Sequence, residues 1–255
     1  MTVQETFRRL HHMPHPLVLP NAWDCASAAA LVAAGFPAIG TTSLGVAAIA
    51  GLVDGVGSTR DQTLALARRL ATLPVPVTID IEAGFDDPVT LARELAHAGV
   101  AGINLEDSRA GTSLADPDDQ ADLIAAVKSA APQLFLNARV DTYWLDIDTP
   151  ATISRARRYA EAGADGVFVP GALDEPTIAS LVASVPVPIN LLYQPGGHTV
   201  DGLGELGVRR VSTGSLLFRA AIGAAVETAL TVRHNSALPT GIPSYAEIQD
   251  LHIQN

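Results

Sequence analysis

The chain is poor in the residues that would mark several common protein classes. A single cysteine, Cys25, leaves no partner for an intrachain disulfide. The seven histidines, at 11, 12, 15, 97, 198, 234 and 252, show no zinc-ligand spacing with it. Lys and Arg number 16 against 27 Asp and Glu, for a formal net charge of −11, so the clustered basic surface that a nucleic-acid backbone requires is missing. Nucleic acid is therefore not expected as a partner. Neither a membrane-spanning apolar run nor a leader-peptide pattern is found, which gives the expectation of a cytoplasmic protein without membrane contact.

What is present is a repeating unit. An Ala/Leu-rich segment, a glycine suited to the left-handed turn that ends a helix, and a short apolar run with a polar end recur in LVAAGFPAIGTTS, LAHAGVAGINLED, YAEAGADGVFVPG and LGELGVRRVSTGS. Strands are expected at 17–20, 37–41, 75–82, 101–106, 134–139, 166–170, 187–192 and 209–213. Helices follow at about 23–34, 59–72, 88–98, 117–130, 150–162, 175–184, 199–206 and 215–233, several opened by an acid or Thr before proline. This alternation predicts an α/β fold, a (β/α)₈ TIM-type barrel, with an open doubly wound sheet as the alternative. The 255 residues read as one domain, with 234–255 as a C-terminal extension. MTVQETFRRLHH reads as an amphipathic leading helix, and 43–59 is long enough to fold over the barrel mouth.

In a parallel barrel the strand carboxyl ends face the active site, so their polar residues can be read as one constellation. It contains Thr42, Ser43, Asp80, Glu82, Glu106, Asp107, Asn137, Arg139, Asp141, Asn190, Thr213 and Ser215. Residues two apart on a strand share a face, so Asp80 and Glu82 are expected to project together. Acids converging in a confined mouth raise one another's pKa unless a cation lies among them, and Mg²⁺, a hard ion that takes a few carboxylates and keeps positions for water and substrate, suits the set. The competing reading is a group of acids that cap helices or pair with basic residues. Arg139 has the planar fork that holds a carboxylate bidentately; its alternative partners are Asp141 and Glu106. Ser43 and its neighbours offer small donors to an anion. QPGGHTVDGLG reads as a loop turn, and Cys25 as a buried helix residue.

Taken in order, LPNAWDCASAAALVAAGFPAIGTTSLGVA, TIDIEAGF, GINLEDS, NARVDTYW, AGADGVFVP and VSTGSLLFRAA resemble the isocitrate lyase and phosphoenolpyruvate mutase superfamily over most of the chain. The resemblance implies a (β/α)₈ barrel that binds Mg²⁺, with Mn²⁺ as a substitute, and acts on small carboxylates. It implies metal roles for Asp80, Glu82 and Glu106, a substrate cradle of Thr42, Ser43 and Leu44, and substrate contacts from Arg139 and Asn190. Asp54 matches a loop aspartate near metal or substrate, and Arg139, Asp54 and Ser43 are the catalytic candidates. It also implies a homo-oligomer, dimer or tetramer, with a C-terminal helix exchanged between subunits.

The departures from the family pattern are specific. EDSRAGTSLADPDDQ has no cysteine, lysine or histidine where the lyases carry a Lys/Arg-Cys-Gly-His stretch, and the mutases' Lys- and Asn-containing gating loop is absent. Gly171 stands around where several lyases have glutamate, and Glu82 replaces an aspartate. The expected activity is Mg²⁺-dependent cleavage of a carbon–carbon bond in a small 2-oxo or 2-hydroxy di- or tricarboxylate through an enolate. The alternatives are a phosphonopyruvate-type mutase or hydrolase acting on a C–P bond, and a non-catalytic 2-oxo acid binding barrel.

Overall fold

Short apolar runs rich in Val, Ile and Leu can only be buried on both faces if helices cover one side and other strands the opposite side. The computed structural model, which describes residues 1–251, resolves the chain in this way. The strands are β1 (Leu17–Leu19), β2 (Asn21–Ala22), β3 (Ile39–Thr41), β4 (Val77–Asp80), β5 (Gly102–Glu106), β6 (Ser108–Arg109), β7 (Ser113–Leu114), β8 (Phe135–Arg139), β9 (Gly166–Val169), β10 (Ile189–Leu192) and β11 (Arg210–Ser212). All but β6 and β7 belong to one parallel sheet in the order β1-β11-β10-β9-β8-β5-β4-β3-β2. β1 and β2 are halves of one strand interrupted at Pro20, which has no N–H to give to a ladder. One half pairs with β11 through Leu17 and Arg210, the other with β3 through Asn21 and Gly40, and this closes the sheet into a (β/α)₈ barrel.

The helices are α1 (Val3–Leu10), α2 (Cys25–Ala33), α3 (Ser43–Ile49), α4 (Arg60–Leu70), α5 (Pro88–His97), α6 (Pro117–Ala130), α7 (Thr142–Leu145), α8 (Thr152–Glu161), α9 (Glu175–Ser184), α10 (Val200–Glu205), α11 (Leu216–Arg233) and α12 (Tyr245–Gln249). Asp87, Asp116 and Asp174 each cap a helix by accepting from first-turn N–H groups, with proline in that turn. Thr149-Pro150 instead opens a single 3₁₀ turn before α8. None of the described helices is long and apolar enough to cross a membrane.

The bottom of the barrel is sealed by α1, whose start is fixed by a reciprocal capping box between Thr2 and Glu5. Its Phe7 is fully buried among Leu17, Leu19, Ala38, Ala101 and Phe135, edge-on to the Phe135 ring at 5.3 Å. Gly102 makes this packing possible: a Cβ there would lie 2.7 Å from the Phe135 carbonyl oxygen and 3.0 Å from the Phe7 ring. Above the plug the barrel centre is polar. Arg210, fully buried, donates to Ser212 Oγ at 3.0 Å and to Asn104 Oδ1 at 3.3 Å, and Asn137 donates to the same Asn104 oxygen at 2.9 Å.

Three local differences from the sequence expectation bear on the mouth. β4 stops at Asp80, so Glu82 lies beyond the strand. Residues 43–59 form α3 and then a turn with positive-φ glycines at 51, 55 and 57. Ser108–Arg109 and Ser113–Leu114 form a short antiparallel hairpin that periodicity did not indicate. The C-terminal extension contains α12; its residues 252–255 lie outside those described.

Replacing Phe7 with Ala should lower unfolding stability by about 3–5 kcal/mol, the usual cost of emptying a large aromatic site. Urea unfolding followed by circular dichroism measures it; a loss below about 1 kcal/mol would show that α1 is not the barrel plug.

Candidate active site

The register of the sheet brings acids and an arginine together at the strand ends. Glu106 is paired across the ladder with Arg139, and Asp80 with Asn104. Arg139 Nη1 forms an ion pair with Glu106 Oε2 at 2.9 Å, and its Nε donates to Asp141 Oδ1 at 2.6 Å. Its guanidinium also lies 5.7 Å from the Trp144 ring centre and 5.9 Å from that of Phe168. Ser108 donates to the other oxygen of Glu106 at 2.8 Å. Asp107, one residue on, points the opposite way into the helix layer, where it accepts from Tyr159 Oη at 2.8 Å, Arg155 at 3.1 Å and the Asp141 N–H at 2.8 Å.

These groups border a cavity of about 580 Å³. Of the residues named from sequence, Thr42, Ser43, Leu44, Asp54, Asp80, Glu106, Arg139, Thr213 and Ser215 line it. Asp54 comes from the turn after α3, and its buried Oδ1 has no hydrogen-bond partner. Thr41 Oγ1 accepts the Asp80 N–H at 2.9 Å, which ties β3 to the end of β4.

Two expected site residues are placed elsewhere. Glu82 has a left-handed backbone, φ 51°, so the strand alternation that would have aligned it with Asp80 no longer applies. Its carboxylate is 2% exposed and accepts from Thr59 Oγ1 at 2.6 Å and the Gly57 N–H at 2.9 Å. Asn190 sits too early in β10 to reach the mouth; it is 1% exposed and accepts from Ser212 Oγ at 3.2 Å within the central polar layer. Asn104 and Ser212 line the cavity above it, as do Asn21, Trp144, Tyr193 and Arg219. Asn104 was legible from its spacing to Glu106 on GINLE; Asn21 and Ser212 lie on the short strands β2 and β11, and Trp144, Tyr193 and Arg219 come from loops and helix starts that carry no strand period.

Burial dominates the electrostatics. It pushes the Asp80 carboxyl up to about 6, against the attraction of Arg139 and with repulsion from Asp54. Glu106 is pushed up to about 8, burial and the Asp141 and Asp80 charges outweighing Arg139. For Arg139 burial opposes the charge, but Asp141, Glu106 and Asp80 together hold its pKa above the ordinary value. Among the described residues no three of Asp, Glu, His and Cys stand close enough to form a metal site by themselves. Mg²⁺ needs only one or two carboxylates, and here Asp80 and the unpartnered Asp54 oxygen border the same cavity as the raised carboxyl of Glu106.

A family model described as phosphoenolpyruvate phosphomutase matches residues 7–233. An uncharacterized protein of Mycobacterium tuberculosis (strain ATCC 25618 / H37Rv) is 50% identical over 96% of this chain and 95% of its own length. The 2-methylisocitrate lyase of Bacillus subtilis (strain 168) is 30% identical, spanning 72% of this chain and 64% of the relative. Among solved structures, a candidate lyase/mutase from Burkholderia cenocepacia J2315 is 35% identical with a TM-score of 0.87, over 97% of this chain and 94% of that one.

Glu106 takes up its proton more readily folded than unfolded, so its contribution to stability is complete below about pH 4.5 and is lost as pH rises through about 8. Metal-free protein should therefore lose thermal stability across that window, and Glu106→Gln should flatten the decline. Parallel melting curves for the two proteins would refute the assignment.

Proposed function

Because this chain belongs to the isocitrate lyase and phosphoenolpyruvate mutase superfamily, we propose that it is a divalent-metal-dependent lyase cleaving a carbon–carbon bond of a small 2-oxo or 2-hydroxy di- or tricarboxylate through an enolate. The observation that carries the reading is Arg139: a guanidinium pinned by two acids at the border of a cavity that the half-buried Asp80 also lines. Among the described residues its Nη2 has no protein acceptor, so it can take a substrate carboxylate while Nε and Nη1 keep the group in place. The Ser43 hydroxyl and the Leu44 N–H would hold a second substrate oxygen, with Thr42 completing the cradle.

Asp80 would hold Mg²⁺ or Mn²⁺ directly, and Glu106 and Asp54 would act through water or directly. An ion held by these residues would supply Lewis acidity toward a substrate oxygen and offset negative charge developing there. Glu82 is left out of this set because it does not border the cavity and its carboxylate is turned to Gly57 and Thr59. Arg139 offsets negative charge that develops on the substrate, and its aromatic neighbours Trp144 and Phe168 shield it from water. The unpaired Cys25 is compatible with a cytoplasmic location.

The quaternary reading rests on α11. Eighteen residues long, it buries no side chain within the chain, and Ile222, Val226 and Leu230, spaced by four, are 53%, 57% and 45% exposed. We read residues 1–255 as one barrel domain, with 234–255 as its C-terminal extension, whose helix α11 packs on a second copy in a dimer or tetramer. Light scattering should give a multiple of the 26.5 kDa chain mass, and Ile222→Glu with Val226→Glu should reduce it. A monodisperse monomer would refute helix exchange.

A screen of oxaloacetate, isocitrate, methylisocitrate, alkylmalates and phosphonopyruvate, with detection of 2-oxo acid or phosphate, tests the reaction. Turnover of a carboxylate is expected, abolished by chelator and restored by Mg²⁺, with Arg139→Lys reduced about 100-fold in kcat/KM through misplacement of the substrate. Undiminished activity in chelator, or turnover of phosphonopyruvate alone, would replace this reading.

A further inference from the structure

Segment 50–59 joins α3 to α4 and carries Asp54 to the cavity, yet little holds it there. Leu52, Val53 and Val56 are exposed, and glycines 51, 55 and 57 have positive φ. Among the described residues, the hydrogen bonds of 53–58 comprise Ser58 Oγ to the Val53 carbonyl within the segment and the Gly57 N–H to Glu82 Oε2 outside it. The segment's far end is held by the same side chain, since Thr59 Oγ1 donates to Glu82 Oε1 at 2.6 Å. Thr59 stands at the N-cap of α4, where a hydroxyl ordinarily accepts from the first turn, but no such bond forms. Its hydroxyl is committed to Glu82, and Thr59 is fully buried.

The backbone at Glu82 is shaped for this reach. A left-handed φ at a non-glycine residue is unfavourable and persists only where its surroundings enforce it. Here the Glu82 N–H donates to Asp80 Oδ1 at 3.2 Å and its carbonyl accepts the Glu106 N–H at 2.9 Å, so the main chain stays tied to the site while the side chain leaves it. An aspartate would end one carbon–carbon bond, about 1.5 Å, short of these donors.

We infer that Glu82 is a positioning residue: it latches segment 50–59 onto the barrel mouth and so sets Asp54 against the cavity, in place of serving as a ligand beside Asp80. The latch stands on geometry alone; only the use of Asp54 by metal or substrate rests on the function proposed above.

Hydrogen exchange of the metal-free protein tests it directly. Glu82→Gln, Glu82→Asp and Thr59→Val should each speed exchange of the amides of 51–58 by about ten-fold or more, with strand amides unchanged, while Thr59→Ser stays within about two-fold of the unaltered protein. Unchanged exchange in 51–58 for folded Glu82→Gln overturns the latch; if that variant does not fold, Thr59→Val decides by the same criterion. Calorimetric titration with Mg²⁺ is the second arm. The latch predicts that any loss of affinity in Glu82→Gln accompanies faster exchange of 51–58, whereas a loss of about 100-fold with unchanged exchange would make Glu82 a ligand and overturn it. Absence of Mg²⁺ binding by the unaltered protein would remove the proposed metal function and leave the exchange result to judge the latch. With a turned-over substrate, the loss of kcat/KM in Thr59→Val should be non-additive with that in Asp54→Asn, as expected of a residue acting through Asp54; full additivity counts against it.

Discussion

The arrangement of the mouth depends on burying one guanidinium. An arginine taken out of water is costly unless its donors meet acceptors of opposite charge in fixed positions. The parallel register does this for Arg139 by placing Glu106 beside it on β5, and the chain does it again by turning Asp141 back two residues later. Asp141 must then be held itself. Its N–H is bound by Asp107, which Tyr159 and Arg155 of α8 brace from behind. Adjacent acids at the end of β5 thus serve two layers: Glu106, its last residue, faces the cavity, and Asp107, just beyond it, locks the helix layer that keeps Arg139 from moving.

A second cation, Arg210, lies beneath the floor. Arg210 has no carboxylate within ion-pair distance among the described residues, and burial lowers its pKa to about 9 while the Asp80 charge opposes that fall. Its hydrogen bonds go to neutral oxygens of Asn104 and Ser212, both of which border the cavity. The polar layer therefore passes positive potential upward without closing a salt bridge that would neutralise Asp80. Asn190, inside this layer, supports Ser212 and takes no place at the surface of the cavity.

The barrel was legible because its signals repeat. Each glycine after an Ala/Leu segment marks a helix end, and each following apolar run is short enough to be a strand, so errors of a residue or two at the ends do not alter the topology. Glu106 and Arg139 were legible for the same reason, as polar residues that end such runs. Glu82 was not, because period-two reasoning holds only while φ remains extended, and nothing in TIDIEAGF announces the change of hand at 82. The misplacement of Asn190 has a different origin: depth along a strand is set by barrel stagger, which the sequence of one strand does not contain. The β6–β7 hairpin escaped because four strand residues around a tight turn are too few to show alternation.

The departures from the family pattern form a connected set once they are placed in space. At Gly171 the backbone has φ 120°, and a Cβ would lie 2.7 Å from Tyr143 Cβ and 3.0 Å from the Tyr143 carbonyl oxygen. A glutamate cannot stand there without displacing α7, the turn that follows Asp141 and therefore part of the clamp on Arg139. Similarly, the segment lacking cysteine, lysine and histidine has closed into a hairpin whose Arg109 donates to Gln120 of α6 at 2.8 Å and to the Ser108 carbonyl at 2.9 Å. Both changes remove side chains from the rim while leaving Arg139, Asp80 and Glu106 in register. Chemistry that requires a rim acid must then find it on another loop, and the loop that does present an acid to the cavity is the one that Glu82 holds.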